Sequence, residues 1–174
     1  MENILLHTCC GICAFCTNQF LKDNFNIKYY WYNPNIHPIA EYNKRLLSAK
    51  AKYELVEDTY DWRVWFTKIK GFANDDNKRC TKCWLMRLTN TLKKAKELKI
   101  NYFSTTLLIS PYQKHDVIKK ICEDLEKEYK VTFYYFDERK SFYKFKNEYK
   151  TFGLYMQKYC GCVFSKNTGK KVKV

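Results

Sequence analysis

Short apolar runs alternate with amphipathic stretches along most of the chain, and this alternation limits the fold more than any single motif. NILLH (3–7) reads as a short buried strand, residues 12–23 as a helix, and IKYYWYN (27–33) as a second, aromatic-rich strand. Pro34 and Pro38 break the chain before a helix over 38–53, whose period turns Leu46, Leu47 and Ala51 inward. YELVED (53–58) is a third strand, and helices follow over 60–72 and 80–98. The second of these carries Trp84, Leu85, Leu88, Leu92 and Ala95 on one stripe. NYFSTTLL (101–108) and VTFYYFD (131–137) are strands four and five, with a helix over 113–129 between them. The stretch from 141 predicts a helix to about Tyr159, and the terminal KNTGKKVKV is expected to fray. Strands alternating with helices give βαβ units. The expected fold is therefore α/β, an open parallel sheet of about five strands with helices on both faces, in one domain over 1–174. Ligands in such sheets sit beyond the carboxyl ends of the strands. The first cysteines and STTLLISP (104–111) both fall on that edge.

No apolar stretch is long enough to span a bilayer, so no membrane partner is expected. The start, MENILLH, lacks a basic segment and carries Glu2, which argues against a secretory signal and for a cytoplasmic protein. Thiols stay reduced there, so nine cysteines point to metal or redox work rather than structural disulfides. Lys and Arg number 32 against 18 Asp and Glu, a net charge of +14. A lysine-rich composition accounts for part of that excess. The rest favours a polyanion such as a nucleic acid, because each neutralised phosphate releases condensed counterions.

Eight of the nine cysteines fall in three groups: CCGICAFC (9–16), CTKC (80–83) and CGC (160–162). Cys122 stands alone on an amphipathic helix and reads as a small core hydrophobe. Cys80 and Cys83 share one helix face at a predicted helix start, where free N–H groups and the dipole favour thiolate. The same holds for Cys13 and Cys16 on the first helix. Thiolates ligate zinc or iron–sulfur clusters, and pairs some 65 residues apart in an α/β chain suit a functional cluster better than a zinc clip. Adjacent Cys9 and Cys10 reach one cluster only if the chain turns between them. In CGC, Gly161 permits a small strained disulfide ring, which would be labile and redox-active. A pair of metal ligands is the other reading of Cys160 and Cys162.

HTCCGIC (7–13), YNPNIHP with EYNKR (32–45), CTKCWLMRL (80–88), STTLLISPYQKH (104–115) and YMQKYCGCVFS (155–165) together resemble the epoxyqueuosine reductase family of the QueH type. The likeness covers nearly the whole chain, with its motifs in order. It implies reduction of epoxyqueuosine to queuosine at the wobble position of tRNA, with an electron donor it does not identify. It also implies a fold similar to the adenine nucleotide α-hydrolases. By motif it places a [4Fe-4S] cluster on Cys9, Cys10, Cys80 and Cys83, and makes Cys160 and Cys162 a redox-active pair. The family's first motif usually reads CCAPC or CCAPD. Here it is CCGIC, and the missing proline predicts a more flexible loop. Cys16 matches no family ligand.

The chemistry fits these residues. Turning an epoxide into an alkene takes two electrons and two protons, whereas a cluster passes one electron at a time. A dithiol supplies both electrons and both protons, and a metal with an open position can take the oxygen. Cys13, with Cys16 or Cys162, is a candidate for holding one additional iron or zinc ion. His37 is a candidate proton donor or a loop-fixing residue. Glu41 and Arg45 read as a local ion pair. Aromatics interleaved with lysines over 141–159 suit stacking on unpaired bases as well as core packing. Neither a P-loop nor GxGxxG is present. The competing reading is a zinc-bearing RNA-binding or tRNA-thiolation-related module without reductase activity.

Overall fold

The computed structural model describes residues 1–167. Five parallel strands, β1 (Glu2–His7), β2 (Phe25–Trp31), β3 (Leu55–Glu57), β4 (Tyr102–Thr105) and β5 (Thr132–Phe133), form one open sheet in the order β3-β2-β1-β4-β5. Ile4, Leu5, Leu6 and His7 are consecutive and fully buried, so both faces of β1 are covered. Each such aliphatic side chain contributes about 1.5–3 kcal/mol on burial. Helices α1 (Gly11–Leu21) and α2 (Ile39–Lys50) pack together. Helices α3 (Trp62–Ile69), α4 (Asp76–Glu97) and α5 (His115–Tyr129) pack as a second set, and α6 (Phe142–Lys150) lies on α1. A last helix, α7, spans Val163–Asn167. The chain steps from β1 to β2 on one side and reaches β4 on the other. β1 therefore sits at the point where the strand order reverses, with His7 paired to both Tyr30 and Thr105. Among the described residues no helix is long and apolar enough to cross a membrane.

Several elements differ from their predicted form. On α2, Leu47 is 66% exposed and Ala51 lies past the helix end; the buried face is Glu41, Tyr42, Arg45, Ser48 and Ala49. That face meets the segment 155–162, whose backbone carbonyls need donors, and the polar side chains win the inward place. On α4, Trp84, Leu88, Leu92 and Ala95 are buried but Leu85 is 42% exposed, at the edge of the stripe. The helix predicted from 141 to Tyr159 stops at Lys150, and Gly153 follows in the left-handed region. Strand four ends at Thr105, whose hydroxyl accepts from Leu107 N at 3.2 Å and starts a single 3₁₀ turn over Thr106–Ile109. Strand five is only two residues long. The expected fraying of KNTGKKVKV falls mainly outside the described residues.

Candidate metal and redox centre

Cys9 follows β1 directly, and its Sγ lies 3.5 Å from the Thr106 hydroxyl beyond β4. Cys10 caps α1, its Sγ accepting from Cys13 N at 3.4 Å. The chain thus turns between Cys9 and Cys10, and one helical turn brings Cys13 back. The three sulfurs lie within 4.8 Å of one another at the strand-order switch. Hydrogen bonds from Cys10 and then Cys13 hold the Cys9 thiol well below its ordinary range, with Arg87 assisting. Burial pushes Cys10 up, and its hydrogen bond to Cys10 does the same for Cys13. Gln157 Nε2 donates to Cys10 Sγ at 2.9 Å. Three buried sulfur donors this close form a soft donor set suited to iron or zinc, so the residues fit a metal. Gly11 leaves no slack in this loop. A Cβ there would collide with the Tyr149 hydroxyl and come to 2.9 Å from the Ser48 carbonyl oxygen.

CTKC lies in the second turn of α4 rather than at its end. Asp75 caps the helix, accepting from Lys78 N at 3.0 Å, so the free N–H groups are not beside the thiols. Burial raises Cys80 to about 11 and also raises Cys83. Cys83 packs with Trp65, Ile69 and Cys162 in a small buried cluster. In CGC the two thiols part company: Cys162 enters that cluster, and Cys160 lines a pocket shared with Cys9 and Cys13. All nine cysteines are free thiols. Burial pushes Cys160 up to about 12.

The CGC segment is held from α2. Arg45 pairs with Glu41 at 2.6 Å and donates to the carbonyls of Tyr159 at 2.9 Å and Cys160 at 3.1 Å. Tyr155 donates to the other Glu41 oxygen at 2.5 Å. Gly161 has φ +130°, and a Cβ there would press on Arg45 and Ile36 at 3.2 Å. His37 serves this segment through its backbone: its N–H donates to the Gly161 carbonyl at 2.8 Å, and its carbonyl accepts from Tyr159. The His37 ring packs on Trp65 and Phe66. Burial lowers it to about 4, and neither ring nitrogen has a hydrogen-bond partner among the described residues.

Between the two sulfur groups lies Arg87, 2% exposed, its Nη2 donating to Asn33 Oδ1 at 2.8 Å. Its charge acts on Cys9, Cys83 and Cys160. It lines the same pocket, partly open to solvent, with Arg45, Thr106, Ser110, Gln157 and Lys146. Lys146 is 4% exposed and has only the Tyr143 ring, 5.8 Å away, as a partner among the described residues. An aromatic and cationic wall next to reactive sulfur can hold a ring and an anion together.

The structure therefore brings Cys9, Cys10 and Cys13 together and sets Cys83 beside Cys162, with Cys80 one turn away on α4. Cys80 and Cys83 stand outside the three-sulfur group. Cys16 is buried in the main core, where burial pushes it to about 12, and Cys122 is core as well. Thr106 and Ser110 line the pocket, whereas Thr105 bonds His7 at 2.9 Å and Ser104 bonds the Tyr134 carbonyl at 2.9 Å. Sequence reasoning gave no role to Arg87, Asn33 or Gln157, and took Lys146 only as one of the lysines of the 141–159 stretch. For Arg87 a signal existed: it lies four residues past Cys83 and seven past Cys80, on the same helix face.

A family model described as epoxyqueuosine reductase QueH matches residues 4–168. Among curated proteins named epoxyqueuosine reductase QueH, that of Dehalococcoides mccartyi is 41% identical over 169 residues, 93% of this chain and 91% of its own. That of Thermotoga maritima is 33% identical, covering 95% of this chain and 91% of its own. That of Staphylococcus aureus is 32% identical, covering 93% and 75%.

Proposed function

The chain belongs to the epoxyqueuosine reductase QueH family, and from that membership we propose how its own residues serve the reaction. It is an oxidoreductase, an epoxyqueuosine reductase. The substrate is epoxyqueuosine carried in tRNA, reduced to queuosine with loss of the epoxide oxygen as water. Cys9, Cys10, Cys80 and Cys83 hold a [4Fe-4S] cluster, and Cys13 with Cys162 holds one additional iron or zinc ion. When bound, these groups supply single electrons and an open coordination position for oxygen. The carrying observation is the three-sulfur group of Cys9, Cys10 and Cys13 at the strand-order switch, two of its members lining a pocket with Cys160. The packing of Cys162 on Cys83, and the charge of Arg87 between the groups, support one continuous sulfur site.

The residues around the pocket have distinct tasks. Cys160 is the thiol of the CGC pair that lines the pocket and meets substrate, and Cys162, packed beside Cys83, is the one that turns to the metal. Arg45, through the carbonyls of Tyr159 and Cys160, fixes where Cys160 stands. Lys146 meets a phosphate of the incoming strand, and Tyr112, on the same wall, is hydrogen-bonded at 2.9 Å to Tyr143. The test is anaerobic purification with iron, sulfide and zinc analysis, then nucleoside analysis of epoxyqueuosine-containing tRNA after incubation with a strong reductant. Iron with sulfide and conversion to queuosine are expected. Zinc without sulfide and no conversion would favour an RNA-binding module instead.

A further inference from the structure

Among the described residues three arginine side chains are buried, and one of them has no carboxylate partner there. Arg45 has Glu41 at 2.6 Å, and Arg79 has Asp76 at 2.5 Å. Arg87 is as buried as Arg45, yet no carboxylate pairs with it among the described residues: it hydrogen-bonds the neutral amide of Asn33 and the side chain of Cys83. Its Nε is buried and has no hydrogen-bond partner among the described residues. A guanidinium does not shed its proton, so it cannot escape burial by becoming neutral. Buried charges are paired or sit beside a metal site. What surrounds this one is sulfur: it lines the pocket wall with Cys9, Cys13 and Cys160, and α4 carries Cys83 one turn before it.

The cation is also held rigidly. Asn33 accepts from Arg87 through Oδ1 and donates through Nδ2 to the Thr8 carbonyl at 2.8 Å. Thr8 immediately precedes Cys9, so one amide couples the guanidinium to the strand end that carries the first sulfur.

We propose that Arg87 is the built-in counter-charge of the sulfur centre, a positioning residue that raises its reduction potential. The inference rests on the reading of that centre as an iron–sulfur site. A fixed positive charge in a low-dielectric interior stabilises the state that carries one more electron. An anionic cluster on thiolates supplies the negative partner that no carboxylate provides, and a sulfur acceptor would meet the orphaned Nε donor.

The experiment compares midpoint potentials, by dithionite titration followed in visible absorbance, for wild type, Arg87→Gln and Arg87→Lys after anaerobic reconstitution. In Arg87→Gln the reduction equilibrium is expected to move at least tenfold toward the oxidised form, about 59 mV for one electron. Arg87→Lys, which keeps the charge, should stay within threefold of wild type. Loss of cluster from Arg87→Gln with retention in Arg87→Lys would also support the proposal, because Lys keeps the positive charge that Gln removes. An unchanged potential in a fully loaded Arg87→Gln protein would overturn it, as would equal loss of cluster from both variants. Wild type without iron and sulfide would instead defeat the reading of the centre, and that measurement is made first.

Discussion

At the residue scale, sulfur and glycine carry the site. Cys10→Ala removes both a member of the three-sulfur group and the cap of α1, and Cys83→Ala removes a buried thiol from the face of α4. Each is expected to lose iron and sulfide and to unfold at lower temperature. Cys160→Ser should keep the visible spectrum and lose turnover, because Cys160 lines the pocket without belonging to the close group. Bleaching of the Cys160→Ser protein would make that cysteine a ligand. Gly11 gives a second prediction. The Tyr149 hydroxyl occupies the place where an alanine methyl would go, so Gly11→Ala should destabilise by about 1–3 kcal/mol through overpacking. Adding Tyr149→Phe should return part of that loss in thermal unfolding, and a purely additive pair would refute the clash. The sequence, read by motif, showed the cysteines and their proximity to strand one. It did not show how closely the chain is packed at Gly11. The decisive contacts come from Ser48 and Tyr149, distant along the chain.

At the element scale, α2 is a clamp. Its inward face carries Glu41 and Arg45, which tie down the two residues before Gly161. Arg45→Met should cost about 3–5 kcal/mol, because it leaves Glu41 buried without its cation and frees two carbonyls. Hydrogen exchange should rise first over 155–162. Unchanged protection there would mean that the segment is held by other contacts. The strands, the order of helices and the location of the site beyond β1 and β4 were legible from periodicity, since burial of apolar side chains sets them. Periodicity failed where polar groups go inside. It turned Leu47 inward on α2 although Arg45 takes that place. It also ran α6 on to Tyr159, although the helix ends at Lys150 and Gly153 turns the chain toward the sulfurs. The pairing of a local Glu41–Arg45 contact was visible at its four-residue spacing. Its reach to the CGC loop was not, because that depends on packing between remote segments.

At the scale of the whole molecule, a net charge of +14 and a sulfur-lined pocket have to serve one substrate. A basic surface that meets about five phosphates gives a slope of about −3.5 to −4.5 in log affinity against log salt. Binding of tRNA should follow such a slope, and a flat response would remove the basic surface from the footprint. The resemblance carried by five motifs pointed to the family that the full-length comparison assigns. The close approach of Cys9, Cys10 and Cys13, and the packing of Cys83 on Cys162, required the fold. The central claim is that these residues reduce an epoxide in tRNA. It is tested most directly by incubating the anaerobically reconstituted protein with epoxyqueuosine-containing tRNA and dithionite, then digesting the tRNA and weighing its nucleosides. The account predicts that epoxyqueuosine disappears and an equal amount of queuosine, one oxygen lighter, takes its place. Unchanged epoxyqueuosine beside a protein fully loaded with iron and sulfide would contradict it.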